Sequence, residues 1–139
     1  MASDQNLLAN ALSSSDFNKL IGVSYGSWEP GRVVIRLDMR PQLGNRLGIA
    51  HGGVILTLLD IACGMSGMHS PPGTAQRLGV TVSLTANFIA GTKSPVIHGV
   101  GELTSERKTL FYASGRLTDD DGVLLATATG VYKYLRNNS

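Results

Sequence analysis

NRLGIAHGGVILTLLDIACGMSGM, residues Asn45 to Met68, is the stretch whose reading decides the fold. The pair Gly52-Gly53 opens a long and almost unbroken apolar run, and one acid, Asp60, stands in its middle. A carboxylate is seldom buried unless it is paired or put to use, because removing its charge from water costs several kcal/mol. Read as a helix, the run has two unlike faces. Stepping by four and three from Gly53 gives Thr57, Asp60, Gly64 and Gly67, a stripe of small or polar residues, while Val54, Ile55, Leu56, Leu58, Leu59, Ile61, Ala62, Met65 and Met68 fill the rest. A helix so apolar is expected to be buried, with the bare stripe letting a second helix or a ligand approach its backbone. On this pattern Gly53, Thr57 and Gly64 are candidate substrate-binding positions, and Asp60 is either a working acid or a structural one bonded to a neighbour.

Upstream, residues 4 to 21 carry Leu7, Leu8, Ala11, Leu12, Phe17, Leu20 and Ile21 at helical spacing, interrupted by a Ser-rich cluster that can cap a turn. Val23 to Glu29 and Arg32 to Met39 read as a hairpin around Pro30-Gly31, with Val33, Ile35, Leu37 and Met39 alternating on one face. Downstream, Leu78, Val80, Val82, Leu84, Ala86 and Phe88 alternate with polar residues as a half-buried strand. Val96 to Glu106, Thr109 to Leu117 and Leu124 to Tyr134 follow as three more, the last two joined at Asp121-Gly122. One long helix without a polar face can be covered only by an antiparallel sheet that curls around it. The expected class is therefore α+β, with five to six strands around one buried helix plus a short N-terminal helix. It forms one domain over residues 1–139, with a helical lead-in at 1–21 and a frayed tail at 135–139. The sheet edge and the bare stripe call for a second copy, as a homodimer or homotetramer.

Composition narrows the function. With 12 basic against 10 acidic residues, scattered, the chain lacks the basic stripe of a nucleic-acid binder. Its longest apolar run is interrupted by Asp60 and too short to span a bilayer, and the first residues lack the basic and apolar regions of a secretory signal, so a cytoplasmic protein is expected, with no membrane partner. The single cysteine, Cys63, lies inside the apolar helix, cannot form an intramolecular disulfide, and is a poor nucleophile in such surroundings. Three well-separated histidines and one cysteine offer no ligand spacing, so no metal site is expected.

Asn45, the run Gly48-Ile49-Ala50-His51-Gly52-Gly53, Leu58-Leu59-Asp60 and Asn87-Phe88 together resemble the hotdog-fold thioesterases of the phenylacetate-degradation (PaaI) type, over roughly Val23 to Tyr134. The resemblance implies hydrolysis of acyl-coenzyme A thioesters, with aryl or medium-chain acyl groups, at sites between two subunits. Coenzyme A would be part of the substrate, and no separate cofactor is implied. It also implies Asp60 as general base or nucleophile, Asn45 positioning water or thioester, the Gly52 N–H on the thioester oxygen, and Thr81 assisting. Asn45 and Gly52 would come from one subunit and Asp60 from its partner.

The chemistry is consistent with these roles, since thioester hydrolysis passes through an oxyanion and an unpaired N–H at a helix start is a fixed donor for one. His51 joins these as a catalytic candidate, an acid or base, and plainer readings stand beside them all: Asn45 as a turn residue, His51 tying the loop to the helix start, Gly52 and Gly53 easing the turn, and Thr81 solvated on the polar side of its strand. A non-catalytic acyl-CoA binding module is the alternative of a different class. For the coenzyme A phosphates, Arg46, Lys93, Arg107, Lys108 and Arg116 are all candidates.

Overall fold

A computed structural model describes residues 15–136. The Leu7 to Leu12 part of the lead-in and the last three residues of the tail lie outside them. Helix α1, Asp16–Ile21, starts where the Ser15 hydroxyl accepts the Asn18 N–H at 3.2 Å, and it stops at Gly22, whose φ of 86° suits a residue without Cβ. The Arg40 guanidinium donates to the carbonyls of Ile21, at 2.7 Å, and Leu20, pinning this short helix to the body of the fold.

The strands are β1 (Val23–Glu29), β2 (Arg32–Asp38), β3 (Gly79–Phe88), β4 (Val96–Glu106), β5 (Leu110–Asp119) and β6 (Leu124–Tyr134). They form one antiparallel six-stranded sheet in the order β1-β2-β4-β5-β6-β3, so β3 leaves its sequence neighbours and closes the far edge beside β6. Helix α2, Gly52–Ser66, lies across the concave face, as the apolar run requires. Val33, Ile35 and Leu37 of β2, Ile97 of β4, Phe111 and Leu117 of β5 and Leu125 of β6 are fully buried with Leu58, Leu59, Ala62 and Cys63 of the helix. The Trp28 indole N–H donates to the Met65 carbonyl at 2.9 Å, fastening the C-terminal turn of α2 to β1.

Close approach of helix and sheet depends on missing side chains. Gly101 of β4 and Gly115 of β5 are cross-strand partners directly beneath Ala62 and Cys63. A Cβ at Gly101 would overlap the Ala62 carbonyl, and one at Gly115 would stand 2.9 Å from the Cys63 sulfur.

Two expectations need correction. Helix α2 is not buried all round: Leu56 is 38% exposed, and Gly53 and Thr57 share that open side. Strand β3 does not bury a continuous even-numbered face either, since Val80, Val82 and Phe88 are exposed. A register shift against β6 between Thr81 and Ser83 switches the parity of the strand. Before it Gly79 and Thr81 turn inward, and after it Leu84 and Ala86 do.

Candidate active site

His51 is the N-cap of α2, where its Nδ1 accepts the Gly53 N–H at 2.8 Å, and its ring is exposed. The backbone N–H of Gly52 has no partner among the described residues, and Gly52 lines a cleft of about 280 Å³ together with Asn45, Ile55, Phe88, Thr92 and Leu125. The Asn45 Oδ1 accepts the N–H groups of Leu47 (2.9 Å) and Ile49 (3.3 Å), which orders its own loop and leaves Nδ2 with no partner among the described residues. Next to it a second cleft, of about 530 Å³, carries Arg40, Arg46 and Lys93. The other basic candidates lie elsewhere: Arg116 pairs with Glu102 at 3.0 Å, and Arg107 and Lys108 stand at the turn between β4 and β5.

Asp60 sits two turns further along α2. Its Oδ1 accepts two hydroxyls, Thr81 Oγ1 at 2.8 Å and Tyr132 Oη at 2.9 Å, and Tyr132 also approaches the Asp60 carbonyl at 3.1 Å. The half-buried carboxylate opens on a recess of about 200 Å³ walled by Ile61, Gly64, Met65, Met68 and, from α1, Asn18. Thr81 is thus bonded to the acid and not merely solvated on a polar face. Gly64 admits the Tyr132 ring, to which a Cβ there would come within 3.1 Å, and Thr57 turns its hydroxyl back onto the Gly53 carbonyl at 2.8 Å.

The structure therefore brings Asp60, Thr81 and Gly64 together around one recess and Asn45 and Gly52 around another. Eight residues of helix, about 12 Å of axial rise, separate Gly52 from Asp60. A single reacting group cannot reach both within one chain.

Tyr132 was missed from sequence. The available signal was a tyrosine on the inward-facing alternation of β6, where a buried phenol needs a hydrogen-bond partner. Burial and the Asp60 charge push its ionisation far upward, so the hydroxyl stays a donor. The same two causes push the Cys63 thiol up to about 12, partly offset by the neighbouring Tyr132 hydroxyl. Among the described residues no three of His, Cys, Asp and Glu cluster to hold a metal, and no helix is long and apolar enough to cross a membrane.

A single antiparallel sheet wrapped on one long helix is the hotdog fold. Residues 47–126 match the family model of the thioesterase superfamily, and the chain belongs to that superfamily. Thioester hydrolysis is the activity that this membership supports. The chain is 27% identical to zebrafish thioesterase superfamily member 2, over 98% of this chain and all of that one, with a TM-score of 0.81. It is 26% identical to the mouse member 2, over 96% and 98% of the two chains, with a TM-score of 0.82. A Saccharolobus solfataricus protein carrying an esterase name is 27% identical over 118 residues, 85% of this chain and 82% of the relative.

Proposed function

We propose that the protein hydrolyses acyl-coenzyme A thioesters of aryl or medium-chain acids in the manner of the PaaI type, as a homodimer or a tetramer built from such dimers. The observation that carries this reading is the Asp60 carboxylate, held by two hydroxyls at the edge of a recess that Ile61, Met65 and Met68 help to wall. In this reading Asp60 acts as general base or nucleophile, and the free N–H of Gly52 binds the developing oxyanion at the positive end of α2. Asn45 offers its Nδ2 to the thioester or to water. Because one chain keeps Gly52 and Asp60 about 12 Å apart, each site draws its oxyanion donor from one subunit and its acid from the other. The open side of α2 at Gly53, Leu56 and Thr57, and the exposed Val80 and Val82 on edge strand β3, are the surfaces a second copy would cover.

Arg46 and Lys93 share a cleft with Asn45 and suit the coenzyme A phosphates better than Arg107, Lys108 or Arg116. A thiolate is a good leaving group, so the reading requires neither metal nor separate cofactor. A reducing, aqueous compartment such as the cytoplasm suits a chain whose one thiol is buried.

The test is release of free thiol from phenylacetyl-, benzoyl-, short-chain and medium-chain acyl-CoAs, native protein against Asp60→Asn. Turnover of one class, with at least about 100-fold loss in the folded variant, is expected. Full activity in Asp60→Asn refutes the mechanism. A native protein that binds coenzyme A but hydrolyses none of the panel is a binding module instead.

A further inference from the structure

We propose that Tyr132 is a positioning residue for Asp60: together with Thr81 it holds Oδ1, so that Oδ2 is the oxygen presented to the reacting centre. The inference rests on the hydrolase reading above and adds which carboxylate oxygen reacts and what aims it.

An ionised carboxylate offers acceptor sites on both oxygens and turns readily about its last bond. At Asp60 both side-chain donors among the described residues converge on one oxygen, at 2.8 and 2.9 Å, and none reaches the other. Their convergence comes from the sheet. Thr81 and Tyr132 are cross-strand partners of β3 and β6, next to the register shift that turns Thr81 inward. Two hydroxyls on adjacent strands of one face meet the same atom without either side chain having to search for it.

The phenol is itself held rigidly. Its ring stacks on Phe111 at 4.9 Å with the planes 10° apart, and Gly64 and Gly130 leave the space it occupies, since a Cβ on either would come within 3.1 or 2.6 Å of the ring. Only the hydroxyl reaches Asp60, so Tyr132→Phe removes the aim and keeps the packing. If Tyr132 served the fold alone, the Asp60 carbonyl at 3.1 Å would already satisfy its hydrogen, and the carboxylate contact would carry no kinetic consequence.

The experiment uses the full chain and the acyl-CoA that the native protein turns over fastest. Tyr132→Phe and Thr81→Val are made singly, together, and each on Asp60→Asn, with Thr81→Ser as the conservative replacement. Misaiming a reactive group costs up to about 100-fold in rate. Tyr132→Phe should therefore lower kcat by about 10- to 100-fold while KM stays within about twofold and the melting temperature is kept. Thr81→Ser should recover most of what Thr81→Val loses. On the residual rate of Asp60→Asn, Tyr132→Phe should cause no further loss. If Asp60→Asn is inactive and Tyr132→Phe retains native kcat, the positioning role is overturned while the hydrolase reading survives. An equal fold-loss from Tyr132→Phe with and without the Asp60 carboxylate overturns it as well, assigning the effect to structure. Should Tyr132→Phe not fold, Thr81→Val carries the same test, because it removes the other donor to the same oxygen.

Discussion

Gly101→Ala puts one methyl group between β4 and α2, where the helix backbone lies directly on the strand. The new Cβ would overlap the Ala62 carbonyl and lie 3.0 Å from the Cys63 nitrogen. Overpacking a core costs about 1–3 kcal/mol, and the upper end applies when the obstacle is backbone that cannot swing aside. Against this, alanine restricts the unfolded chain more than glycine does, returning about 0.7 kcal/mol. The net expectation is a loss of about 2 kcal/mol, equivalent to a melting temperature about 7 °C lower for a chain of this size. Gly26→Ala in β1 is the matched control, because its Cβ would come closest to the Val34 side chain, at 3.1 Å, with the nearest backbone atom, the Val34 carbonyl oxygen, at an ordinary 3.8 Å; it should stay within about 0.5 kcal/mol of the native protein. Urea unfolding followed by far-ultraviolet circular dichroism, at one fixed protein concentration, measures both variants. A Gly101→Ala midpoint equal to the native one would refute the close seating of the helix on which the placement of Asp60 depends.

Two further outcomes can be checked on the same preparation. With its thiol pushed up to about 12 and fully buried, Cys63 holds roughly 10⁻⁴ of its population as thiolate at pH 8; an aromatic disulfide reagent should leave the native protein unreacted and modify it promptly in denaturant, and fast native labelling would contradict the burial. Glu106, hydrogen-bonded by Arg77, has its carboxyl held below the ordinary value of 4.5, so the folded state gains stability above that value and loses it as the pH falls through the lowered one. The pair is well exposed, so the gain is below about 1 kcal/mol. Glu106→Gln should be slightly less stable than the native protein at neutral pH, with the difference shrinking in acid; a difference that grows in acid would reverse the sign.

What could be read from the chain was local. The apolar run with a glycine pair before it announced α2, whose bounds Gly52–Ser66 fall within the stretch expected, and Pro30-Gly31 and Asp121-Gly122 marked hairpins that the sheet contains. Asp60 drew notice because an acid is out of place there, and such a mismatch needs no partner to be visible. Its partners were not legible from the residue pattern alone, and Thr81 came into view only through the family resemblance. Thr81 looked solvated because strict alternation from Leu78 to Phe88 assigns it to the polar face, and a register shift is a property of two strands, not one. Tyr132 was passed over because nothing along the chain says that β3 pairs with β6, the last strand. The separation of Gly52 from Asp60 could be computed from helical rise, yet its consequence appears only once the two recesses are seen to be distinct.

The position of β3 beside β6 also dictates when the carboxylate can be ordered during folding. Asp60 meets Thr81 across 21 residues of chain and Tyr132 across 72. Contacts of such separation form late, because the loops that join them must close first. A chain still emerging from the ribosome can wind α2 and pair β1 with β2 while its acid has neither hydroxyl, and the second arrives only with β6, the final strand. The Asp60 carboxylate therefore gains its second hydroxyl partner only when β6 has paired, and the partly folded chain carries that acid without it.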